Sequence, residues 1–145
     1  MRLFLMTATA AGFALASFAM DEALAVQDTP TTINGVEVVC TGVGSAKDDP
    51  RWSAYPVKIV LATTGGANLA NAHVTLSKGG KEVAGLDCDA PWILFKPPAG
   101  SYTATASLIG GSGQSHSANV TTTGSGGQKE VTIMFARPAE APAGQ

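Results

Sequence analysis

His73-Val74-Thr75-Leu76-Ser77-Lys78, Gly79-Gly80 and Lys81-Glu82-Val83-Ala84-Gly85-Leu86-Asp87-Cys88 decide how the chain folds. Val74 and Leu76 recur at the two-residue period that turns alternate side chains of a strand to one face. The paired glycines supply the positive φ angles that a tight two-residue hairpin needs. An antiparallel β-hairpin is therefore predicted over 73–88, ending on a cysteine.

The same period extends in both directions. Val36, Val38 and Cys40 share a face with Glu37 opposed, and Val57, Ile59 and Leu61 share one with Lys58 opposed. Trp92-Ile93-Leu94-Phe95 is a short continuous apolar run, as in a strand covered on both sides. In 102–108, Tyr102, Ala104, Ala106 and Leu108 alternate with Thr103, Thr105 and Ser107, which predicts a half-buried strand of small residues. Segments 115–122 and 129–135 complete the set, and Gly/Ser-rich connections flank the first of them. No helical period appears beyond residue 25. The fold class expected is all-β: an antiparallel, Greek-key-type β-sandwich of seven to eight short strands with one disulfide. Its domain spans 33–136, between a flexible 26–32 segment and a disordered Pro/Ala-rich tail, 137–145.

Residues 1–25 read as a secretory signal. Arg2 supplies the positive start, 3–20 carry no charge, and Ala23-Leu24-Ala25 offers small residues for cleavage between Ala25 and Val26. A membrane anchor is disfavoured, because Thr, Ser and Gly dilute the apolar run and Asp21-Glu22 follow it in place of basic residues. No stable membrane insertion is expected once the signal is gone, and the location expected is periplasmic or secreted. In such an oxidising compartment the only two cysteines, Cys40 and Cys88, favour a disulfide. Closing that loop is worth about 4 kcal/mol on the chain-entropy estimate. A zinc site is disfavoured, since His73 and His116 are far apart in sequence and the cysteines form no close-spaced pair.

Charge narrows the partners. A net charge of −2 with only 14% charged residues provides no basic surface for a polyanion, so nucleic acid is not expected. At 145 residues, with 45% apolar, one core is the natural count. Gly42-Val43-Gly44-Ser45-Ala46-Lys47 lacks the Gly-Lys-Ser/Thr ending and following helix of a phosphate loop. The Cys40, Trp52, Cys88 spacing suggests an immunoglobulin domain. Leu86 stands where that fold places a tyrosine, however, and Trp52 sits in a proline-bounded loop.

A closer likeness runs from Ala72-His73-Val74-Thr75-Leu76 through Phe95-Lys96-Pro97-Pro98-Ala99-Gly100-Ser101-Tyr102-Thr103-Ala104 to the last strand. Residues 56–136 resemble the carboxypeptidase-regulatory-like, transthyretin-like sandwich modules of exported bacterial proteins. The resemblance implies that Tyr102 packs inward behind the turn. It also implies a non-catalytic structural, adhesive or ligand-binding role, exercised toward an envelope protein or glycan and without a cofactor.

The candidate binding surface is Asp49, Arg51, Trp52 and Tyr55, because exposed aromatic and guanidinium groups bring contact area and directional donors. Buried, the same rings would form a lid, with Arg51 paired to Asp48 or Asp49 and Trp52 near the segment that begins at Asp89. The rival is a small secreted hydrolase or metal-dependent enzyme using His73 or His116 with Asp87 and Asp89. Ser115 and Ser117 flank His116, yet in a strand they point away from its ring, and no Gly-x-Ser-x-Gly elbow is present. Asp87 and Asp89 alone do not fill a calcium shell of six to eight oxygens. Asn119-Val120-Thr121 matches the glycosylation sequon, although occupancy is not expected in a bacterial-type module.

Overall fold

The computed structural model describes residues 25–110, 113–123 and 126–136. The expected signal segment up to residue 24 and the 137–145 tail lie outside the described residues. Among the described residues nine strands form: β1 Thr31–Ile33, β2 Val36–Thr41, β3 Val57–Thr63, β4 Ala72–Lys78, β5 Lys81–Cys88, β6 Trp92–Lys96, β7 Gly100–Leu108, β8 Ser115–Thr122 and β9 Lys129–Phe135. One sheet has the order β1-β2-β6-β3-β9 and the other β5-β4-β7-β8. The fold is the expected all-β sandwich. No helix among the described residues is long and apolar enough to cross a membrane.

Two features differ from the expectation. Residues 31 and 32, placed from sequence in the flexible 26–32 segment, join Ile33 to form β1 against β2, with Thr31 opposite Val38. Their brevity hides this, because a three-residue edge strand needs only a partner backbone and no apolar period of its own. The sandwich is also not wholly antiparallel. After β8 the chain passes to the other sheet and lays β9 parallel to β3, with Val57 opposite Lys129 and Thr63 opposite Phe135.

The hairpin is built as its sequence requires. Gly79 and Gly80 take φ of 59° and 78°, and β4 pairs with β5 from Lys78 opposite Lys81 to Ala72 opposite Cys88, with one register shift at Leu76/Ser77. Between the sheets, Val38, Val57, Ile59, Leu61, Ile93, Phe95, Ile133 and Phe135 share one apolar cluster with Val74, Leu76, Ala84, Leu86, Ala104, Ala106 and Val120. The alanines of β5 and β7 leave room for Phe95 and Phe135, which are wholly buried, as close packing demands. Tyr102 points into this core, and its hydroxyl donates to the Pro98 carbonyl at 2.6 Å. Cys40 on β2 and Cys88 on β5 are joined, so the bridge links one sheet to the other.

Candidate functional site

Residues 44–55 connect β2 to β3 and lie on the outer face of the five-stranded sheet. That face carries Val39 on β2 beside Leu94 on β6, two apolar side chains on the side away from the core. Two short 3-10 helices, Gly44–Asp48 and Pro50–Ala54, bring Trp52 and Tyr55 down onto them. Pro50 starts the second helix, and the Asp49 side chain accepts from the Arg51 backbone N–H at 2.9 Å. Trp52 Nε1 donates to the Ala46 carbonyl at 2.7 Å, and Gln128 Nε2 donates to the carbonyls of Trp52 and Tyr55 at 2.7 and 3.1 Å. The Tyr55 hydroxyl donates to Glu37 Oε1. Burial first, then this bond, pushes the Tyr55 phenol well above its ordinary range.

The proposed recognition surface is thereby divided. Trp52 and Tyr55 are 4% and 2% exposed, so they are a lid and not a contact surface. The reason is visible in β2 and β6, whose outward Val39 and Leu94 need cover. The buried apolar side chains that Trp52 joins are Val39, Tyr55 and Leu94. Only Asp49 and Arg51 stay at the surface. Arg51 binds Asp49 Oδ2 through both Nε and the terminal nitrogen, at 2.9 and 2.8 Å, and its guanidinium sits 4.7 Å from the Trp52 ring centre. The Arg51 hydrogen bonds hold the Asp49 carboxyl below the usual carboxylate range.

The catalytic candidates separate as well. His73 Nδ1 meets Asp87 Oδ1 at 2.6 Å on the outer face of the four-stranded sheet. His116 is on the opposite side of its sheet, its ring edge-on to Phe135 at 5.0 Å. Asp89 lies beyond the end of β5, and the interaction that involves it uses its backbone carbonyl. Register puts Asp87, His73, Ser107 and Ser115 in one row across four strands. Ser107, however, donates its hydroxyl hydrogen to Ser115 at 3.0 Å. Among the described residues no three His, Cys, Asp or Glu side chains gather as metal ligands.

That row is the end of a larger array. On β7 and β8 the outward positions are Ser101, Thr103, Thr105 and Ser107 opposite Thr121, Asn119, Ser117 and Ser115, each pair joined side chain to side chain at 2.7 to 3.2 Å. Thr75 and Ser77 of β4 continue it beside Thr105 and Thr103. The result is a sheet face of hydroxyls and one amide, bordered by His73 and Asp87 at one end and, along β5, by Glu82, which stands opposite Ser77 with its carboxylate over Gly85 beside Thr75. The alternation in 102–108 carries part of this signal. The array appears only once register sets β8 beside β7 and β4 on the other side.

Trp92, read from sequence as a core residue, is half-buried on the outer face of its sheet. Lys58 Nζ lies 3.4 Å from its ring centre and 3.5 Å from Glu130. Gly42, at φ 105°, passes so close to this ring that an added Cβ would stand 2.6 Å from Trp92 Cγ. The glycine in the discarded phosphate-loop pattern thus answers to packing. Neither a scan against protein-family models nor a search of curated proteins finds a match to this chain.

Proposed function

We propose that the protein is an exported, non-catalytic β-sandwich module with a structural or binding role in the bacterial cell envelope. The single observation behind this reading is the neutral hydroxyl face of β4, β7 and β8. Cross-strand hydrogen bonds hold its side chains in place, so a partner meets ordered donors and acceptors at a reduced entropic cost. Its described β7 and β8 positions carry neither charge nor ring, and the groups that border it are the Glu82 and Asp87 carboxylates and the His73 imidazole. It suits a neutral hydrogen-bonding partner, an envelope glycan or the polar surface of an envelope protein. The inward Tyr102 behind Pro97-Pro98 supports the carboxypeptidase-regulatory-like, transthyretin-like assignment, and the disulfide supports export to an oxidising compartment.

Sedimentation with envelope fractions tests the role. The purified protein is mixed with insoluble cell wall prepared with and without its bound proteins. Co-sedimentation with both preparations identifies a glycan partner, and with the protein-bearing one alone, a protein. Thr105→Glu with Ser117→Glu should abolish either while leaving the melting temperature within a few degrees. Absence of co-sedimentation with both removes the envelope role, and binding that survives the double variant moves the contact elsewhere.

A second reading has one specific observation in its favour, the His73–Asp87 contact at 2.6 Å with Ser107 in the same row. An Asp-held imidazole has its Nε2 free to act as a base. If that reading holds, a fluorophosphonate probe labels Ser107 and His73→Ala abolishes the labelling. An unlabelled protein removes it.

A further inference from the structure

Residues 25–28 do not dangle ahead of β1. The Ala25 N–H donates to the Asp87 carbonyl at 3.1 Å, Gln27 Nε2 donates to the Asp89 carbonyl at 2.9 Å, and the Asp28 N–H donates to the Cys40 carbonyl at 2.8 Å. Thr41 Oγ1, wholly buried, donates to Asp28 Oδ1 at 2.6 Å. The anchoring groups are thus Cys40 and its neighbour Thr41 at the end of β2, and the residues on either side of Cys88 at the end of β5. The segment runs from one sheet to the other where the disulfide does. Asp28 takes φ of 61°, which disfavours most residues and which Asp and Asn tolerate. Ala25 packs against the apolar cluster that holds both cysteines.

We infer that residues 25–28 form a strap that shields the Cys40–Cys88 bridge, so that thiol reductants reach it when the strap lifts and without unfolding of the sandwich. Reduction requires a thiolate to approach one sulfur, and both cysteines are fully buried in the closed structure. Four hydrogen bonds and one small apolar side chain hold the strap, whereas β2 and β5 are held through whole sheets. Local opening of such a segment costs less than global unfolding. Cleavage behind Ala25 would remove the Ala25 hydrogen bond together with its apolar contact and leave the three hydrogen bonds of Gln27 and Asp28. The strap therefore belongs to the exported form and is lost only to trimming beyond Asp28.

The experiment measures how fast dithiothreitol reduces the exported protein in native buffer, with alkylation and mass spectrometry as readout and the global unfolding rate measured in parallel. Wild type should be reduced faster than it unfolds. Asp28→Ala removes the Thr41 contact and the tolerance for positive φ, and it should speed reduction by about tenfold, the size of one buried hydrogen bond. Asp28→Asn retains both features and should stay within about twofold of wild type. Reduction that tracks global unfolding in wild type and Asp28→Ala alike overturns the strap. If Asp28→Ala does not fold, hydrogen exchange of the wild type decides: the Asp28 amide should exchange well ahead of the β3 amides, and equal protection overturns the proposal.

Discussion

The two sheets bury their inner faces in one core and treat their outer faces in opposite ways. Outside the five-stranded sheet, Val39 and Leu94 are apolar, and residues 44–55 fold over them with Trp52 and Tyr55. Outside the four-stranded sheet, the side chains of β7 and β8 are hydroxyls and one amide bonded to one another, and they stay in water. A few outward residues therefore decide which face is covered and which remains available to a partner. The aromatic, arginine-bearing segment that resembles a recognition surface in sequence serves stability. The unremarkable Ser/Thr alternation supplies the open surface.

Breaking the lid should give the largest effect. Trp52→Ala removes a buried ring and its bond to Ala46, and a loss of about 3–5 kcal/mol in urea unfolding is expected. An unchanged midpoint would place Trp52 in solvent and erase the contrast between the faces. Tyr55→Phe keeps the ring and deletes the bond to Glu37, for an expected loss of about 1–2 kcal/mol.

The same tyrosine sets an alkaline limit. Burial raises the Tyr55 phenol and, separately, the Tyr102 phenol above the ordinary value of about 10. The unfolded chain therefore releases these protons first. Stability is complete below about pH 10 and falls as pH climbs beyond it. Tyr55→Phe should flatten that fall, and a slope equal to wild type would show that the phenol is not buried.

Surface changes should give the smallest effects. Arg51→Ala loses an exposed ion pair and is expected to leave the urea midpoint at the wild-type value. Thr105→Val exchanges one hydroxyl of the open face for a methyl of similar shape and should stay within about 0.5 kcal/mol of wild type, as measured by urea unfolding. A larger loss from Thr105→Val would mean that the open face supports the fold and is not free to serve a partner.

Much of this architecture can be read from the chain because strands announce themselves through local alternation. From β2 to β9 every strand coincides with a segment of two-residue period or a short apolar run, and Gly79-Gly80 marks its own turn. What escaped depended on partners distant in sequence. β1 is two threonines and one isoleucine, too short to show a period, and it forms where β2 offers it a backbone. The parallel docking of β9 on β3 follows from where the chain crosses between sheets, which no local pattern encodes. Trp52 has the same residue type whether exposed or buried, and only the outward Val39 and Leu94 decide between the two. The separation of His116 from His73 was partly legible, since the alternation around Ser115 and Ser117 already turned that ring away from its flanking serines.

The most direct test is the intact mass and alkylation state of the protein recovered from its native location. The account predicts a chain beginning at Val26 whose Cys40 and Cys88 resist alkylation until reduced. A chain that retains its first residues and alkylates at both cysteines without a reductant would contradict it.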